Sequence, residues 1–485
     1  MAIDRRDLLK VGAAAAGSLV LSGCRSVGSQ PASDEKAFDV AIVGAGISGL
    51  VAARDLRRGG LTNIIVLEAR DRVGGRSYNQ DPGHGLVADA GPTWIGPGQT
   101  AIQDLLRELG IGTLRNYDEG DLVLFMGGQT QRVPGTASPI SDEGFVERMD
   151  ALAQTVPTAA PWQAVKAAEY DAMTYADYLA AQNLSQGDRL SVSIACVLTF
   201  GARPEHISFF YVLFYIHSAG SYQLLESMEG GAQQDRIVGG TQAIPLRLAE
   251  QLGEAVRLAQ PVRQITNWDG ADGGPVRLQT QSGVIRARSV ILALSPSQAT
   301  GIDFAPALPV QRQLLMDNWP RSSAAIKIAL VYDEPFWRKR GLSGQVLSPD
   351  GPFLWSVDVS PADASLGQLM SFSSPGYSMP MTVEQRMSKL IETYALCFGE
   401  RARHPIGHAQ QDWSQEAYTR GCVSPLGPGV LSRYGQSLRP PSGRLVWAGT
   451  ETAEIWMGYM DGAVRAGHRA ALEALHALTT SKVQA

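Results

Sequence analysis

The stretch from Phe38 to Tyr78 constrains the fold more strongly than any other part of the chain. A short apolar run, Asp39 to Val43, predicts a strand and leads directly into Gly44-x-Gly46-x-x-Gly49, after which a helix pattern begins. Glycines at this spacing permit a tight strand-to-helix turn, a close approach of the backbone to a pyrophosphate, and close packing of helix on strand. A second predicted strand, Asn63 to Leu67, ends at Glu68, ~20 residues beyond the glycines, where a carboxylate can accept ribose hydroxyls. The order of these features predicts a dinucleotide-binding unit.

The glycine triplet alone does not choose between NAD and FAD, but the residues that follow Glu68 do. Arg70-Asp71-Arg72-Val73-Gly74-Gly75-Arg76-Ser77 adds a glycine pair and a second arginine, which would reach the same pyrophosphate from its other side. This run resembles the extended fingerprint of the flavin-dependent amine oxidases, the monoamine oxidase family. The resemblance extends from about Phe38 to Leu478 and implies that the cofactor is FAD.

The resemblance and the chain pattern together predict an α/β fold. A Rossmann-like FAD-binding domain of the glutathione-reductase type would be built from the discontinuous segments 38–115, 235–306 and 410–480, and an α+β substrate-binding domain from 116–234 and 307–409. The pattern from Tyr117 to Gln234 is mostly helical. The aromatic stretch from Phe209 to Ile216 is predicted to be core rather than pocket.

The net charge argues against a nucleic-acid-binding protein, and the cysteine spacing argues against a zinc-binding or disulfide-rich one. The formal net charge of −5 gives no general basic field, so nucleic acid is not expected as a partner. Four cysteines stand at positions 24, 196, 397 and 422, without the spacing of zinc ligands and without the density of a disulfide framework. We therefore predict no metal site.

The N-terminal residues 1–24 are predicted to be a targeting signal. Arg5-Arg6 precedes a short apolar core, Val11 to Val20, which is typical of twin-arginine export. Leu21-Ser22-Gly23-Cys24 resembles a bacterial lipobox, so Cys24 would carry a lipid that anchors the chain at a membrane. The alternatives are a plain cleaved signal and a chance match of these four residues. Residues 25–37 would be a tether. Export in the folded state suits a protein that takes up its flavin in the cytoplasm, and we expect a periplasmic or cell-envelope location.

The resemblance implies a set of cofactor contacts along the whole chain. In it, Val262 gives a backbone contact to adenine, Glu451 accepts from hydroxyls on the ribityl or phosphate side, and the backbone N–H of Met460, at a helix N-terminus, faces the N1/C2=O edge of the flavin. Cys422 matches the position whose thiolate can attach to the flavin, and a small buried hydrophobe is the alternative. The predicted cofactor-binding residues are Gly44, Ala45, Gly46, Ser48, Gly49, Glu68, Ala69, Arg70, Gly75, Arg76, Gly91, Pro92, Thr93, Trp94, Val262, Trp413, Cys422, Gly449, Thr450, Glu451 and Met460.

Three residues are predicted to act in the chemistry. Lys327 is the one charged residue of an apolar strand pattern, Ala324 to Val331. A snorkelling surface lysine is the alternative, but apolar neighbours on both faces disfavour it. The resemblance implies that Lys327 reaches a water beside flavin N5, and that Tyr459 and Trp413 frame the approach to the flavin face. Val423 stands where animal monoamine oxidases carry the first tyrosine of an aromatic cage, so substrate preference cannot be copied from those enzymes.

The reaction that the resemblance implies is oxidation of a small amine. The α-carbon gives hydride or its equivalent to the flavin, the imine hydrolyses to an aldehyde, and oxygen reoxidises the flavin to give hydrogen peroxide. Because the amine must be neutral to react, we expect an apolar and aromatic pocket rather than an acidic one. The alternatives are an L-amino-acid oxidase or other FAD oxidoreductase of the same fold, which would need a pocket arginine for a substrate carboxylate, and a non-catalytic FAD-binding lipoprotein.

Overall fold

The computed structural model describes residues 37–135, 140–320, 325–373, 381–419 and 421–483. The predicted signal, its Cys24 and nearly all of the predicted tether lie outside these ranges. The strands, in chain order, are β1 Phe38–Val43, β2 Ile64–Leu67, β3 Asn79–Gln80, β4 Ala88–Asp89, β5 Trp94–Ile95, β6 Thr113–Arg115, β7 Asp121–Met126, β8 Gln129–Val133, β9 Asp235–Ile237, β10 Val256–Arg257, β11 Gln264–Thr266, β12 Val276–Thr280, β13 Gly283–Leu292, β14 Asp303–Ala305, β15 Ile326–Tyr332, β16 Leu342–Leu347, β17 Trp355–Asp358, β18 Gly367–Ser373, β19 Gly407–Asp412 and β20 Leu445–Trp447. The helices are α1 Ile47–Arg58, α2 Thr100–Leu109, α3 Glu143–Ala153, α4 Ala167–Asp171, α5 Tyr175–Ala180, α6 Gln186–Phe200, α7 Phe209–Ala219, α8 Tyr222–Glu226, α9 Ala243–Leu252, α10 Pro296–Ala299, α11 Val310–Asn318, α12 Val383–Phe398, α13 Val430–Tyr434 and α14 Met460–Val483.

The first large sheet gathers strands that are far apart in the sequence. Its order is β10-β2-β1-β13-β12-β11-β14, and β20 pairs with the second half of β13. Strands β10, β2, β1, β13 and β20 run parallel, as a Rossmann-like fold requires, whereas β12 pairs with β13 in the antiparallel direction. Residues 40–43 and 64–67 are buried, because a parallel sheet is covered by helices on both faces. The predicted mixed α/β fold with a Rossmann-like sheet is therefore confirmed.

Helices α1 and α14 cover one face of this sheet. Small residues let the two helices approach closely: a β-carbon on Gly467 would stand 2.5 Å from the carbonyl oxygen of Ser48. Ala470 and Ala474 are fully buried on the same side of α14. Each large apolar side chain buried in this layer contributes ~1.5–3 kcal/mol to stability.

The second large sheet has the order β19-β15-β18-β17-β16-β7-β8. Strand β15, the second from one edge, is buried at every residue and pairs in the antiparallel direction with β18 and β19. The segment from Tyr117 to Gln234 is mostly helical, as expected, but it begins with a hairpin of β7 and β8. This hairpin joins the sheet because β7 pairs with β16 in parallel, a long-range contact that local pattern does not reveal.

A helical layer built around α7 forms the third part. Residues 209–216 are all buried there, so the prediction that this aromatic stretch is core is confirmed. Helix α7 begins at a Ser208 cap that accepts from the Tyr211 N–H, and it ends at Gly220. Within the described ranges, no helix combines the length and the apolar character needed to span a bilayer.

Candidate functional site

One cavity of about 1700 Å³ extends from the edge of the first sheet to the helical layer. It is lined by residues from both large sheets and from α6, α7 and α8. Every predicted site residue lines it except Ala45 and Gly49, which lie directly behind its wall. Residues predicted from widely separated parts of the chain are thus brought to one place.

The glycine turn after β1 forms one end of this cavity. Gly44 has φ +103°, and a β-carbon there would stand 2.8 Å from the carbonyl oxygen of Ala293. A β-carbon on Gly49 would stand 2.0 Å from the carbonyl oxygen of Gly44, so only glycine fits where helix packs on turn. At Gly46 the nearest atom to such a carbon is 3.9 Å away. Gly44 and Gly49 are therefore packed against protein atoms, whereas Gly46 leaves room on the cavity side of the turn. A site that binds pyrophosphate at a helix N-terminus needs this arrangement.

Glu68 follows β2 at the same end. Its buried carboxylate accepts from the backbone N–H groups of Ala45 at 2.8 Å and Arg70 at 3.0 Å. The Glu68 carbonyl oxygen accepts from Gln260, which places Val262 beside it on the cavity wall. The carboxylate is thus held in place where a ribose would lie in a dinucleotide bound to this turn.

Glu451 is the best indication of the chemistry of a ligand that fits the cavity. It is 1% exposed, and its Oε1 lies 2.7 Å from Arg76 Nη2. Neither carboxylate oxygen, however, accepts a well-aligned hydrogen bond from any residue that the structure describes. A buried carboxylate with unused acceptors is costly, so the site fits a ligand that donates hydroxyls, such as the ribityl chain of FAD.

Cys422 lies on the same wall. Its carbonyl oxygen accepts from Arg76 Nη1 at 3.0 Å, and its thiol is free and partly buried. Burial raises the pKa of this thiol, while the charges of Arg76 and Lys327 oppose that rise. The thiol therefore has two cations near it that would favour its nucleophilic thiolate form.

Helix α14 points its N-terminus into the cavity. Met460 is its first residue and lines the cavity, and Gly458 before it has φ +85°. Thr450 Oγ1 fixes this entry by donating to the Tyr459 carbonyl oxygen at 2.7 Å. The first N–H groups of a helix have no intrahelical acceptor, so this end offers donors and a positive dipole to an electron-rich ligand edge.

Lys327 lies on β15 with its ammonium group buried. Nζ donates to the carbonyl oxygen of Gly91 at 2.5 Å and to Thr93 Oγ1 at 2.6 Å. It also lies 4.8 Å from the ring centre of Phe372 and 5.8 Å from that of Trp94. Burial lowers the pKa of Lys327 to about 8, although the charge of Asp89 opposes the change. This lysine does not snorkel to solvent, and it can exchange a proton near neutral pH.

Aromatic side chains form the wall of the cavity around Tyr459. Its ring packs edge-on against Trp456 at 5.0 Å and lies 6.0 Å from the ring of Tyr215. The aliphatic Val423 lines the cavity as well, so apolar and aromatic side chains are both present in its wall. Trp413 is 1% exposed and donates its indole N–H to the Ala90 carbonyl oxygen at 2.7 Å, which makes it a support for the Gly91 segment.

Two residues of this wall were not among the predicted site residues. Tyr215 belongs to the aromatic core stretch, yet it also lines the cavity. The sequence of this stretch does not indicate which of its aromatic residues reaches the cavity. Glu226, at the end of α8, places a carboxyl group on the wall, contrary to the expectation of a pocket without acids. The available signal was an acid directly after the two leucines of this short helix.

Comparisons with known proteins agree with this geometry. The sequence model of the family "Flavin containing amine oxidoreductase" matches residues 47–475. The chain is 37% identical over 442 residues to a Mycobacterium tuberculosis protein named as a flavin-containing monoamine oxidase. This alignment covers 90% of this chain and 96% of the relative. Among solved structures, cyclohexylamine oxidase from Brevibacterium oxydans matches with a TM-score of 0.84 and 31% identity, over 91% of this chain and 100% of that one. A putrescine oxidase bound to putrescine matches with a TM-score of 0.82 and 30% identity, over 90% and 99%.

Proposed function

The chain belongs to the flavin-containing amine oxidoreductase family, and from that premise we propose that it oxidises a small amine with oxygen as the electron acceptor. It is an FAD-dependent oxidoreductase that deaminates amines. The overall reaction that we propose is R–CH2–NH2 + O2 + H2O → R–CHO + NH3 + H2O2. Bound FAD supplies the two-electron acceptor for the substrate carbon and passes the electrons on to oxygen.

The apolar end of the cavity selects the reactive form of the amine. Tyr215, Tyr459 and Val423 offer a low-polarity surface, on which an ammonium ion is disfavoured relative to the neutral amine. The neutral nitrogen has the lone pair that assists cleavage of its α C–H bond. The same wall excludes water from the reacting carbon until the imine leaves and hydrolyses.

Lys327 is the observation that carries the proposal. A buried ammonium group, held by Gly91 and Thr93 on the wall shared with the helix N-terminus, supports a role in oxygen reduction. Its positive charge would stabilise negative charge that develops on oxygen, and its lowered pKa makes it a proton donor near neutrality. A non-catalytic flavin carrier would have no use for such a charge.

Glu226 argues against the amino-acid oxidase alternative. Its carboxyl group lines the cavity that holds Tyr459, where an anionic substrate carboxylate would meet a group of the same charge. An assay of oxygen uptake, peroxide, ammonia and aldehyde tests the proposal. We expect the four to change in equal amounts with amines, whereas turnover of L-amino acids alone would favour the alternative.

We further propose that the flavin is attached through Cys422 and that the chain is exported. The proximity of Arg76 and Lys327 to the Cys422 thiol supports attachment, because both charges favour the thiolate. Export and a lipid on Cys24 rest on the sequence of residues 1–24. An exported, membrane-anchored oxidase would act on amines outside the cytoplasm.

A further inference from the structure

Glu226 places a carboxyl group on the wall of the cavity, where α8 ends beside α6. It is the last residue of α8, and Thr199 Oγ1 on α6 donates to its Oε1 at 2.9 Å. The lining residues next to it in these two helices include Ile194, Leu198 and Tyr222. Its side chain is thus oriented by one hydrogen bond while the carboxyl group faces the substrate space.

The charge of Glu226 has no counter-ion in the described part of the chain. Two other acids of the cavity wall are paired: Glu451 with Arg76 at 2.7 Å and Glu229 with Arg115 at 3.2 Å. None of the described lysines, arginines or histidines forms an ion pair with Glu226. Burial raises the pKa of Glu226 to about 7, although the bond from Thr199 opposes the change. An anion in such a place gains strongly from a cation that arrives with the ligand.

The position of Glu226 relative to the reacting end also fits a ligand group. Glu226 and Tyr459 line the same cavity, and the charge of Glu226 adds to the rise that burial causes in the pKa of Tyr459. The cavity therefore combines one end suited to a neutral amine with a wall suited to an ammonium ion.

We infer that Glu226 binds a second ammonium group of the substrate, so that the preferred substrates are aliphatic diamines rather than monoamines of the same length. This inference rests on the proposed amine oxidation. One amino group would reach the flavin as the neutral amine, while the other would stay protonated against the carboxylate. The side chain would then determine specificity without taking part in the chemical step.

The test compares matched substrates in two variants of the full, flavin-loaded enzyme. Putrescine is measured against n-butylamine, and cadaverine against n-pentylamine, in wild type, Glu226→Gln and Glu229→Gln. Glu226→Gln keeps the size and the bond from Thr199 but removes the charge. We expect it to lower kcat/KM for the diamines by about 30-fold and to change the monoamines by less than about threefold. Glu229→Gln, the matched control, should leave the ratio of diamine to monoamine within about threefold of wild type.

The pH dependence gives a readout that a purely structural role would not produce. In wild type the ratio of kcat/KM for diamine to that for monoamine should rise as the pH passes upward through about 7, because Glu226 becomes an anion there. In Glu226→Gln the ratio should stay flat. Equal losses for both substrate types, a flat wild-type ratio, or an equal effect of Glu229→Gln would overturn the inference. Turnover of monoamines without diamines would also overturn it while leaving amine oxidation intact; turnover of no amine would refute both.

Discussion

Replacing Lys327 by methionine removes a buried ammonium group but keeps an unbranched side chain of similar length. The change abolishes the bonds to the Gly91 carbonyl oxygen at 2.5 Å and to Thr93 Oγ1 at 2.6 Å. It leaves Phe372 and Trp94 with an apolar neighbour in place of a cation. The variant therefore separates the charge of Lys327 from its packing.

The expected loss lies in the reaction with oxygen. A unit charge about 5 Å from a developing anion, at an effective dielectric constant of about 20, is worth ~3 kcal/mol. That energy corresponds to about 10²-fold in rate. Reduction of the flavin by the amine, which needs no cation at this position, should change by less than about fivefold. Because Lys327 is protonated below about pH 8, the wild-type oxygen reaction should slow as the pH rises through that value.

The same substitution has a predictable effect on stability. The pKa of Lys327 is lowered from 10.5 to about 8, so the folded state binds this proton less tightly than the unfolded state. Stability is therefore reduced by ~3 kcal/mol below pH 8 and regained as the pH rises to 10.5. At pH 7 the methionine variant does not bury a charge, which favours it, but it leaves the Gly91 carbonyl oxygen and Thr93 Oγ1 without their donor. These two effects on the free energy of unfolding are opposite in sign and similar in size. We expect melting temperatures within about 4 °C of each other.

Stopped-flow measurement of the two half-reactions, in wild type and Lys327→Met from pH 6 to 10, is the assay. Anaerobic mixing with amine isolates reduction, and mixing of the reduced enzyme with oxygen isolates reoxidation. Equal slowing of both half-reactions would refute the assigned role. So would reoxidation in the variant at the wild-type rate.

Three further predictions concern the cradle, the flavin linkage and export. Gly49→Ala should abolish FAD retention and lower the melting temperature, because the new β-carbon would stand 2.0 Å from the Gly44 carbonyl oxygen. Gly112→Ala, whose β-carbon would have 3.6 Å of space, should do neither. The flavin content and the melting temperature of the purified variants test this prediction. Acid precipitation of wild type should leave the flavin with the protein, and Cys422→Ala should release it; release from both would refute the linkage. Lysines at Arg5 and Arg6 should retain the chain in the cytoplasm, while Cys24→Ala should export it without membrane attachment, as fractionation and lipid labelling would report.

Much of the first sheet could be predicted because its signals are local. The strand from Ile64 to Leu67 and the turn at Gly44 follow from apolar runs and glycine spacing, and their observed bounds lie within a residue of expectation. Strand β13 runs from Gly283 to Leu292, but only its last residues, from Val290 onward, form a continuous apolar run. Its first four residues pair with β12 alone and are less buried, and the local sequence does not reveal that partner.

The parts that could not be predicted depend on how distant elements meet. The hairpin from Asp121 to Val133 becomes part of a sheet only through pairing with β16, more than two hundred residues later. Tyr215 is both core and wall because α7 has one end against the cavity. Glu226 enters the site only because α8 packs beside α6, so its carboxyl group turns toward Thr199. Side-chain direction of this kind is set by tertiary packing rather than by local sequence.

The measurement that tests the account most directly follows the flavin absorbance of the purified protein, mixed without oxygen with a panel of monoamines, diamines and L-amino acids. We predict that diamines bleach the oxidised flavin fastest, that monoamines bleach it more slowly, and that L-amino acids leave it oxidised. Bleaching by L-amino acids alone would contradict the assignment of the substrate class. A protein that holds FAD and is bleached by none of these compounds would contradict the proposed oxidation itself.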